Sequence, residues 1–523
     1  MNFKTFYTTL SATCLFLGSQ AQIQPQKELT INIDAKNKVQ TIDNIGASGA
    51  WFSEGIGKHW PDAKREKIAE LLFSRSFDSN GNPKGIGLSA WRFNIGGGTT
   101  EQGDSSGITD FRKRVESFLA PDGTYDWNKQ SGYMWFMKKA KSYGVENLIA
   151  FSNTPPVQFT QNGRGFKTEK DFKSNLKPDK YEAFADFLTE VVNHFSKEGV
   201  HFNYLSPVNE PQWDWSFKAN AANQEGSPWT NEEISKIITL VNNSLLTKKL
   251  NTKILTTEAG KLTHLYGENE LASRQIQNFY TDTGKYSFSK LKLVPKVVAG
   301  HSYFTDDSDS ALVNVRKHLA DTVKKYGVDY WMSEYCMLTD GFREGTKQRR
   351  SAIDCALFLA KVIHHDIAIG NAAAWQLWNV YEPGSAEFDT QYYLMALRPN
   401  KDHTDGEFAI TKNLWALGNY SRFIRPGMKR VSISRSDNMP ELKQAQDLMV
   451  TAYTGGKDKL VMVAINYTGQ SRPVKLNASN FGALKTYRTY TTSAGSDLEA
   501  SPVKKVTPSI ILEPRSVTTI ILN

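Results

Sequence analysis

Short apolar runs and helical patterns alternate along most of this chain. The runs are rich in β-branched and aromatic residues, as buried strands are. They predict eight strands, at residues 44–48, 88–95, 147–152, 204–208, 253–258, 296–301, 329–334 and 372–378. Helical patterns fill the gaps at 63–73, 132–143, 178–197, 231–249, 272–281, 311–326 and 349–367. This alternation predicts an α/β fold, a (β/α)8 TIM barrel over residues 44–427 that is enlarged by loops.

From residue 428 onward, apolar and polar positions alternate with a period of two. Strands are predicted at 448–453, 459–467, 484–491, 509–512 and 516–522, so residues 428–523 are expected to form an all-β side sandwich. Residues 29–33 alternate in the same way, and the N-terminal segment 22–43 is therefore predicted to add a strand to this sandwich. No low-complexity linker separates the two parts, which favours rigid packing between them.

The first 21 residues have the pattern of a secretory signal peptide. Lys4 precedes a mainly apolar stretch from Phe6 to Leu17, and the small residues Ser19 and Ala21 follow. We expect cleavage after Ala21 and export to the periplasm or the medium. No later apolar run has the roughly 20 residues that a bilayer span requires, so no membrane span is predicted.

Composition narrows the function classes. The formal net charge is +9, but the basic residues are scattered among acidic ones, which is typical of solvated surface. The chain has neither a basic run with interleaved aromatic residues nor a zinc-type Cys/His spacing, so nucleic acid and metal are not predicted. We expect a monomer that needs no cofactor. The sequence leaves open whether Cys336 and Cys355 are buried free thiols or form a disulfide bond with each other.

Polar and aromatic side chains cluster where the predicted barrel strands end, and in βα barrels these ends face one shared site. The set comprises Arg92, Asn94, Asn153, Asn209, Glu210, Glu258, His301, Tyr303, Glu334, Trp375 and Trp378. The run Asn209-Glu210-Pro211 after a short apolar stretch is typical of a glycosidase proton donor. Glu334 ends a similar stretch and supplies the second carboxylate that retaining hydrolysis needs. Glu258, taken alone, is more typical of an ion-pair partner.

Several motifs resemble glycoside hydrolase family 30, within the broad clan A of barrel glycosidases. They are residues 46–51 (GASGAW), 91–98 (WRFNIGGG), 153–156 (NTPP), 207–212 (PVNEPQ), 331–334 (WMSE) and 423–427 (FIRPG), spread over nearly the whole mature chain. The continuation 212–215 (QWDW) looks most like the branch that includes β-1,6-galactanases. One departure is segment 157–160, which reads VQFT where the family commonly has a Trp-Met pair lining the pocket.

The resemblance implies that Glu210 is the general acid/base and Glu334 the nucleophile, with Arg92 as the hydrogen-bonding neighbour of Glu334. Burial and the Glu334 charge are expected to raise the pKa of Glu210. His301 and Tyr303 are expected to orient Glu334, Tyr303 directly.

The remaining candidates are expected to hold the sugar. Asn209 is expected to contact its 2-hydroxyl, and Trp375 is expected to form the floor beneath it. Trp51, Trp213 and Trp215 are predicted subsite walls. Asn94 and Glu258 complete the set of orienting residues.

The sequence therefore predicts an exported retaining β-glycoside hydrolase that acts on β-1,6-galactan or a related plant polysaccharide. A β-1,6-glucanase, xylanase or β-fucosidase would use the same two carboxylates, and a transglycosylase would share the covalent intermediate. The rival of another class is a carbohydrate-binding barrel without catalysis. The presence of Glu210, Glu334, Arg92 and Asn209 counts against that rival. Endo or exo action stays open, because it depends on loops such as 220–229 and 382–390.

Overall fold

The computed structural model describes residues 28–268, 270–455 and 459–523. The predicted signal peptide, residues 1–21, lies outside these residues. The described chain starts with strand β1 (Leu29–Thr41) and then enters a parallel barrel. The barrel strands are β2 (Asn44–Ser48), β3 (Ala90–Ile95), β4 (Asn147–Ser152), β5 (Tyr204–Ser206), β6 (Lys253–Ile254), β7 (Thr256–Ala259), β8 (Val297–His301), β9 (Asp329–Tyr335) and β10 (Ala372–Leu377).

These nine segments form one parallel sheet in the order β6-β5-β4-β3-β2-β10-β9-β8-β7. β6 and β7 are the two halves of the predicted fifth strand, interrupted at Leu255. Because the two ends of the sheet are consecutive in the chain, the sheet wraps around to an eight-position barrel. The predicted (β/α)8 fold is thus confirmed, and each predicted strand is present.

Helices surround this barrel. They are α1 (Ser53–His59), α2 (Asp62–Phe73), α3 (Thr99–Gln102), α4 (Ser131–Ser142), α5 (Tyr181–Lys197), α6 (Asn231–Thr247), α7 (Thr263–Tyr266), α8 (Gln275–Phe279), α9 (Asp309–Tyr326), α10 (Ala352–Ala368), α11 (Lys412–Ser421) and α12 (Glu441–Gln444). Short 3-10 turns occupy Gly103–Ser106, Phe111–Lys113, Val157–Phe159 and Asp340–Arg343.

α6 starts at a capping box, in which Thr230 Oγ1 accepts from the Glu233 N–H and the Glu233 carboxylate accepts from the Thr230 N–H.

A small sheet that the apolar pattern does not predict lies above the barrel rim. It consists of β11 (Tyr381–Pro383), β12 (Met395–Pro399) and β13 (Gly406–Ile410). β12 and β13 form an antiparallel hairpin, whose turn packs against α1 and α2: Lys64 Nζ donates to Asp405 Oδ1 at 3.0 Å and to the Gly406 carbonyl at 2.8 Å. This hairpin borders the catalytic side of the barrel.

The C-terminal residues form a ten-stranded sheet that includes β1. Its other strands are β14 (Lys429–Arg435), β15 (Leu448–Thr454), β16 (Leu460–Asn466), β17 (Arg472–Ser479), β18 (Thr486–Thr492), β19 (Glu499–Ala500), β20 (Lys504–Lys505), β21 (Ile510–Leu512) and β22 (Ser516–Leu522). β1 pairs antiparallel with β14 and parallel with β17. The predicted addition of the N-terminal strand to the C-terminal module is therefore confirmed.

The two faces of this sheet have different roles, and β16 shows the division. Leu460 and Met462 join an apolar cluster inside the module, whereas Val461 and Val463 join the large core of the barrel. Alternate residues of a strand point to opposite faces, so one strand serves two cores. The helix α10, which lies between the barrel and the sheet, is accordingly buried along nearly its whole length.

Polar contacts also join the two parts. Arg488 Nη2, on β18, donates to the Asn80 carbonyl at 3.0 Å, and the Ala500 N–H, on β19, donates to Asn82 Oδ1 at 2.9 Å. Cys336 and Cys355 are both buried free thiols. Within the three described stretches, none of the helices has the length and apolar character needed to cross a bilayer.

Candidate active site

A cavity of about 520 Å³ opens at the carboxyl ends of the barrel strands. Glu210 follows β5 and Glu334 lies on β9, and both side chains line this cavity. One carboxylate oxygen of Glu210 and one of Glu334 lie within 4.8 Å of each other. The two carboxylates therefore face each other across a space that a glycosidic bond can enter.

Glu334 is held by the two neighbours that the resemblance implies. Arg92 Nη1, from β3, donates to Glu334 Oε2 at 2.5 Å. The Tyr303 hydroxyl, two residues after β8, donates to Glu334 Oε1 at 3.1 Å. Both carboxylate oxygens thus accept a hydrogen bond, which fixes the side chain.

Glu210 has a different environment. His301 Nδ1 lies 2.8 Å from Glu210 Oε1, so His301 contacts the predicted acid/base more closely than Glu334, whose Oε1 is 3.6 Å away. Burial raises the pKa of Glu210, and the nearby Glu334 charge raises it further against the opposing effect of His301. A carboxyl with a raised pKa retains a proton that it can donate.

Glu258, on β7, contacts both His301 and Arg92. Its carboxylate contacts His301 Nε2 at 3.1 Å, Arg92 Nη2 at 3.7 Å and the Ser333 hydroxyl. Burial alone would raise its pKa, but the Arg92 charge and the hydrogen bonds from His301 and Ser333 outweigh burial and lower the pKa of Glu258 to about 2. Glu258 is therefore the ion-pair partner that its position at a strand end suggested.

His301 is correspondingly charged. Burial opposes its protonation, but the charge of Glu334 and the hydrogen bonds to Glu210 and Glu258 outweigh burial and raise the pKa of His301 to about 10. An imidazolium donates from both ring nitrogens, so Nδ1–H donates to Glu210 and Nε2–H to Glu258. The ligand atoms of Glu210, His301 and Glu334 lie within 4.8 Å of one another.

Two of the site glutamates share an unusual backbone conformation. The φ angles of Glu210 and Glu258 are +44° and +50°, in the left-handed region that non-glycine residues rarely adopt. The Glu210 N–H donates to the Glu258 carbonyl at 2.8 Å, which links the two residues through the main chain as well. Such conformations cost about 1–3 kcal/mol each and persist where the surrounding structure holds them.

Aromatic and amide side chains form the walls of the cavity. Trp51 and Trp378 meet edge to face, with ring centroids 5.1 Å apart, and Trp213 and Trp215 lie in the loop after Glu210. Trp51, Trp213 and Trp215 thus line the cavity as expected of subsite walls. Asn209 and Asn153 also line it, and among the described residues Asn209 Oδ1 and Asn153 Nδ2 have no hydrogen-bond partner. These amide atoms remain available to sugar hydroxyls.

The expected position of Trp375 is corrected by the structure. Trp375 lies fully buried outside the cavity, and its indole N–H donates to Asp366 Oδ2 on α10 at 3.0 Å. Its side chain points to the helical layer, because successive residues of a strand face opposite sides. Trp378, the first residue after β10, occupies the cavity wall instead.

Asn94 and the segment 157–160 also differ from expectation. Asn94 is fully buried beside the Tyr133 hydroxyl, below the cavity rather than on its surface. Val157 and Gln158 line a separate cavity, so the departure from the family's Trp-Met pair lies outside the catalytic cavity.

The sequence reasoning missed several polar residues of the cavity, Gln224 among them. Lys113, Asn379 and Glu382 line it, and the Asn379 amide donates to Glu382 Oε1 at 3.0 Å. Burial raises the pKa of Glu382 despite this hydrogen bond and the nearby charges of Arg112 and Lys113. Lys113 lies in a 3-10 turn after strand two, and Asn379 and Glu382 follow strand eight, Glu382 on β11; the only sequence signal for them is their position beyond a strand end.

Comparison with known proteins gives a consistent family. The model of O-glycosyl hydrolase family 30 matches residues 28–387. An endo-β-1,6-galactanase of Hypocrea rufa is 22% identical over 474 residues, covering 88% of this chain and 85% of its own. A glucuronoxylanase of Bacillus subtilis is 23% identical over 474 residues, covering 88% and 92%.

A solved structure is more similar. It is described as a conserved exported protein from Bacteroides fragilis, is 34% identical, and aligns with a TM-score of 0.88 over 94% of this chain and 100% of that chain. The family match covers the barrel with both carboxylate-bearing strands, and the structural match extends over the C-terminal sheet. The chain described here therefore belongs to O-glycosyl hydrolase family 30.

Proposed function

We propose that this chain is an exported retaining β-glycosidase that cleaves a β-linked polysaccharide by double displacement. The observation that carries the proposal is the approach of Glu210 and Glu334 to within 4.8 Å. Retaining glycosidases place their two carboxyl groups about 5–5.5 Å apart, whereas inverting enzymes need roughly 6.5–9.5 Å to admit a water between them. Because 4.8 Å bounds the approach of one oxygen from each carboxylate, it fits the retaining spacing better than the inverting one and supports direct attack by Glu334 on the anomeric carbon.

In the first step, Glu334 attacks the anomeric carbon while Glu210 protonates the departing oxygen. Arg92 and Tyr303 hold both oxygens of Glu334 and keep the carboxylate aligned. Glu210 Oε1 already accepts a hydrogen bond from His301, so Glu210 Oε2 is the oxygen that donates the proton to the leaving group. A covalent glycosyl–enzyme and a shortened chain result.

In the second step, Glu210 is ionised and takes a proton from water, which attacks the anomeric carbon and releases Glu334. Asn209 lies beside Glu210 with a free amide oxygen, which suits a hydrogen bond from the sugar 2-hydroxyl. Such a bond strengthens as positive charge develops at the anomeric centre. The configuration of the sugar is retained because it is inverted twice.

We propose β-1,6-galactan as the substrate. The QWDW continuation after the acid/base resembles the galactanase branch, and the relative from Hypocrea rufa bears that activity in its name. Its identity to this chain is 22%, and the glucuronoxylanase matches equally well, so the linkage must be measured. β-1,6-Glucan, glucuronoxylan and β-fucosides are the alternatives that the same carboxylates serve.

The test is an incubation of the mature protein with β-1,6-galactan, de-arabinosylated arabinogalactan, β-1,6-glucan and glucuronoxylan, with the products separated by chromatography. Galacto-oligosaccharides from the first two polymers are expected, and their lengths report endo or exo action. Proton NMR of the first products is expected to show the β-anomer before mutarotation. An initial α-anomer would contradict double displacement, and release from another polymer only would change the substrate.

Matched variants separate catalysis from binding. Glu210→Gln and Glu334→Gln keep the shape of the site and are expected to lower kcat by at least about a thousandfold while oligosaccharide binding persists. Glu232→Gln, on the exposed start of α6, is the control and should match the wild type. Unchanged hydrolysis by Glu210→Gln would refute the assignment. Binding without turnover by the wild type would favour the binding-barrel alternative.

A further inference from the structure

A second cavity, of about 210 Å³, adjoins the catalytic cavity. We call it the side pocket; its walls include Trp51, Phe52, Glu54, Phe111, Arg112 and His403. Trp51 lines both cavities, and the 3-10 turn Phe111–Lys113 stands between them, with Lys113 facing the catalytic cavity and its two predecessors facing the side pocket. A chain lying in the catalytic cavity is therefore next to the side pocket.

The outer wall of the side pocket is the turn of the β12–β13 hairpin, and it is firmly attached. The Trp60 indole N–H donates to the His403 carbonyl at 3.2 Å. Lys64 holds the same turn through the Gly406 carbonyl and Asp405. The pocket is thus formed by an element whose polar contacts fix it to α1 and α2.

Aromatic rings form much of the surface. Phe52 stacks on the His403 ring at 5.7 Å between centroids, and Phe111 meets that ring edge to face at 5.2 Å. Phe111 nevertheless keeps 52% of its surface exposed. An exposed aromatic ring beside a pocket can cover the C–H face of a sugar ring, and burying that ring favours binding.

Several polar atoms in the walls of the side pocket, donors as well as acceptors, lack a hydrogen-bond partner. Among the described residues, the donors Trp51 Nε1 and Arg112 Nη1 and the ring nitrogen His403 Nδ1 are buried without a hydrogen bond, and Glu54 Oε1 has only the Lys58 ammonium, 3.9 Å away. Buried polar groups are usually hydrogen-bonded, so such a cluster is typical of a site for a ligand. A hydroxyl group both donates and accepts, and a sugar carries several.

The charges of the pocket argue for a neutral ligand. Lys58 lies 3.9 Å from Glu54 and 3.6 Å from Glu116, so its charge is already matched. Arg112 is paired with Asp110 and Arg114 with Asp104, the latter at 2.8 Å. With each lysine and arginine of the walls next to a carboxylate, the pocket offers no surplus cation to a uronate.

From these observations we propose that the side pocket binds a single neutral sugar that branches from the chain held in the catalytic cavity. The volume supports one residue, because it lies below the roughly 300–1,000 Å³ of sites for drug-sized ligands. This inference rests on the proposed glycosidase function and specifies its substrate class as a branched polysaccharide.

The test uses three oligosaccharides on the backbone that the polymer panel identifies: linear, with one neutral arabinosyl branch, and with one glucuronosyl branch. The wild type is expected to cleave the arabinosyl-bearing compound with the highest kcat/KM, about tenfold above the linear one. Phe111→Ala is expected to lower this ratio to near one. Phe77→Ala, a similarly exposed phenylalanine that lines neither cavity, is the control and should keep the ratio.

Binding is measured in parallel by calorimetry on Glu210→Gln, with and without Phe111→Ala. Turnover of the linear compound without a branch preference would overturn the side-pocket inference and leave the glycosidase function intact. A preference for the glucuronosyl branch would overturn the neutral assignment. If no compound is cleaved, the proposed function fails. A Kd about tenfold lower for the arabinosyl-bearing compound than for the linear one then supports the side-pocket inference, and equal Kd values overturn it.

Discussion

Replacing Glu258 with glutamine removes one negative charge from the centre of the site and preserves the shape of the side chain. Glu258 is fully buried between Arg92, whose guanidinium lies 3.7 Å away, and His301, whose Nε2 lies 3.1 Å away. The substitution therefore leaves two buried cations with less compensation. We expect it to lower both the stability of the fold and the rate of catalysis.

The magnitude follows from the pKa of Glu258, which is about 2 instead of the ordinary 4.5. At about 1.4 kcal/mol per pH unit, this depression stabilises the folded protein by ~3 kcal/mol. Removing one partner of a buried pair typically costs about 3–5 kcal/mol, which agrees. A carboxyl with a depressed pKa contributes its stability above pH 4.5 and loses it as the pH falls from 4.5 towards 2.

The assay is urea unfolding of the wild type, Glu258→Gln and the exposed control Glu232→Gln at pH 7, 4.5 and 3.5. We expect Glu258→Gln to be less stable by ~3 kcal/mol at pH 7, with the difference shrinking at pH 3.5. The control should stay within about 0.5 kcal/mol of the wild type. A Glu258→Gln protein as stable as the control at pH 7 would refute the reasoning.

Kinetics distinguish an electrostatic role from a purely structural one. Loss of a negative charge makes it easier for the neighbouring groups to release protons, so the pKa of Glu210 should fall. The basic limb of the kcat/KM profile reports the free enzyme's acid and should move to lower pH in Glu258→Gln. A basic limb at its original pH, with only a reduced amount of folded protein, would assign Glu258 a structural role alone.

Three further predictions concern the cavity and its supports. Burial raises the pKa of Glu225 to about 8, although a hydrogen bond from Thr99 opposes this shift. Since a carboxyl with a raised pKa destabilises the fold as the pH rises from 4.5 to 8, the unfolding free energy of Glu225→Gln should increase by up to ~5 kcal/mol relative to that of the wild type over this range in urea unfolding. Unfolding free energies of the two proteins that change in parallel with pH would contradict this. Trp378→Ala removes a cavity wall and should raise KM about tenfold or more while Trp378→Phe retains most affinity, as initial rates would show; an unchanged KM would count against a contact with substrate. Arg422→Met leaves the Ser74 carbonyl without this donor and should cost ~2 kcal/mol in thermal unfolding, whereas an unchanged Tm would mean that water replaces the contact.

The barrel was predictable because its strands are buried on both faces and so appear as continuous apolar runs. The same pattern could not reveal the β11–β13 sheet. β11 is three residues long and includes Pro383, and the exposed residues of β13 show no clear alternation. This omission matters, because the β12–β13 turn forms a wall of the side pocket.

Strand-end position predicted which residues meet, but not how they pair. Glu210, Glu258, His301 and Glu334 were all expected at one face, and all are there. That His301 bridges Glu210 and Glu258 depends on side-chain rotamers and on the left-handed backbone at both glutamates. Trp375 was misplaced because a residue within a strand can face either side, whereas Trp378 lies beyond the strand end, where the barrel rule applies.

The charges of the site explain why a third carboxylate is present at all. The proposed mechanism begins with Glu210 protonated and Glu334 ionised, so that the negative Glu258 and Glu334 balance the positive Arg92 and His301 and the buried cluster is neutral. On the proposed mechanism, Glu334 becomes an ester in the glycosyl–enzyme and Glu210 loses its proton, so Glu210 and Glu258 now balance the same two cations. The cluster is neutral in both states, and no net charge has to be created in a water-poor site. Without Glu258 the cluster would carry one positive charge throughout, which would oppose the positive charge that develops at the anomeric carbon in both steps.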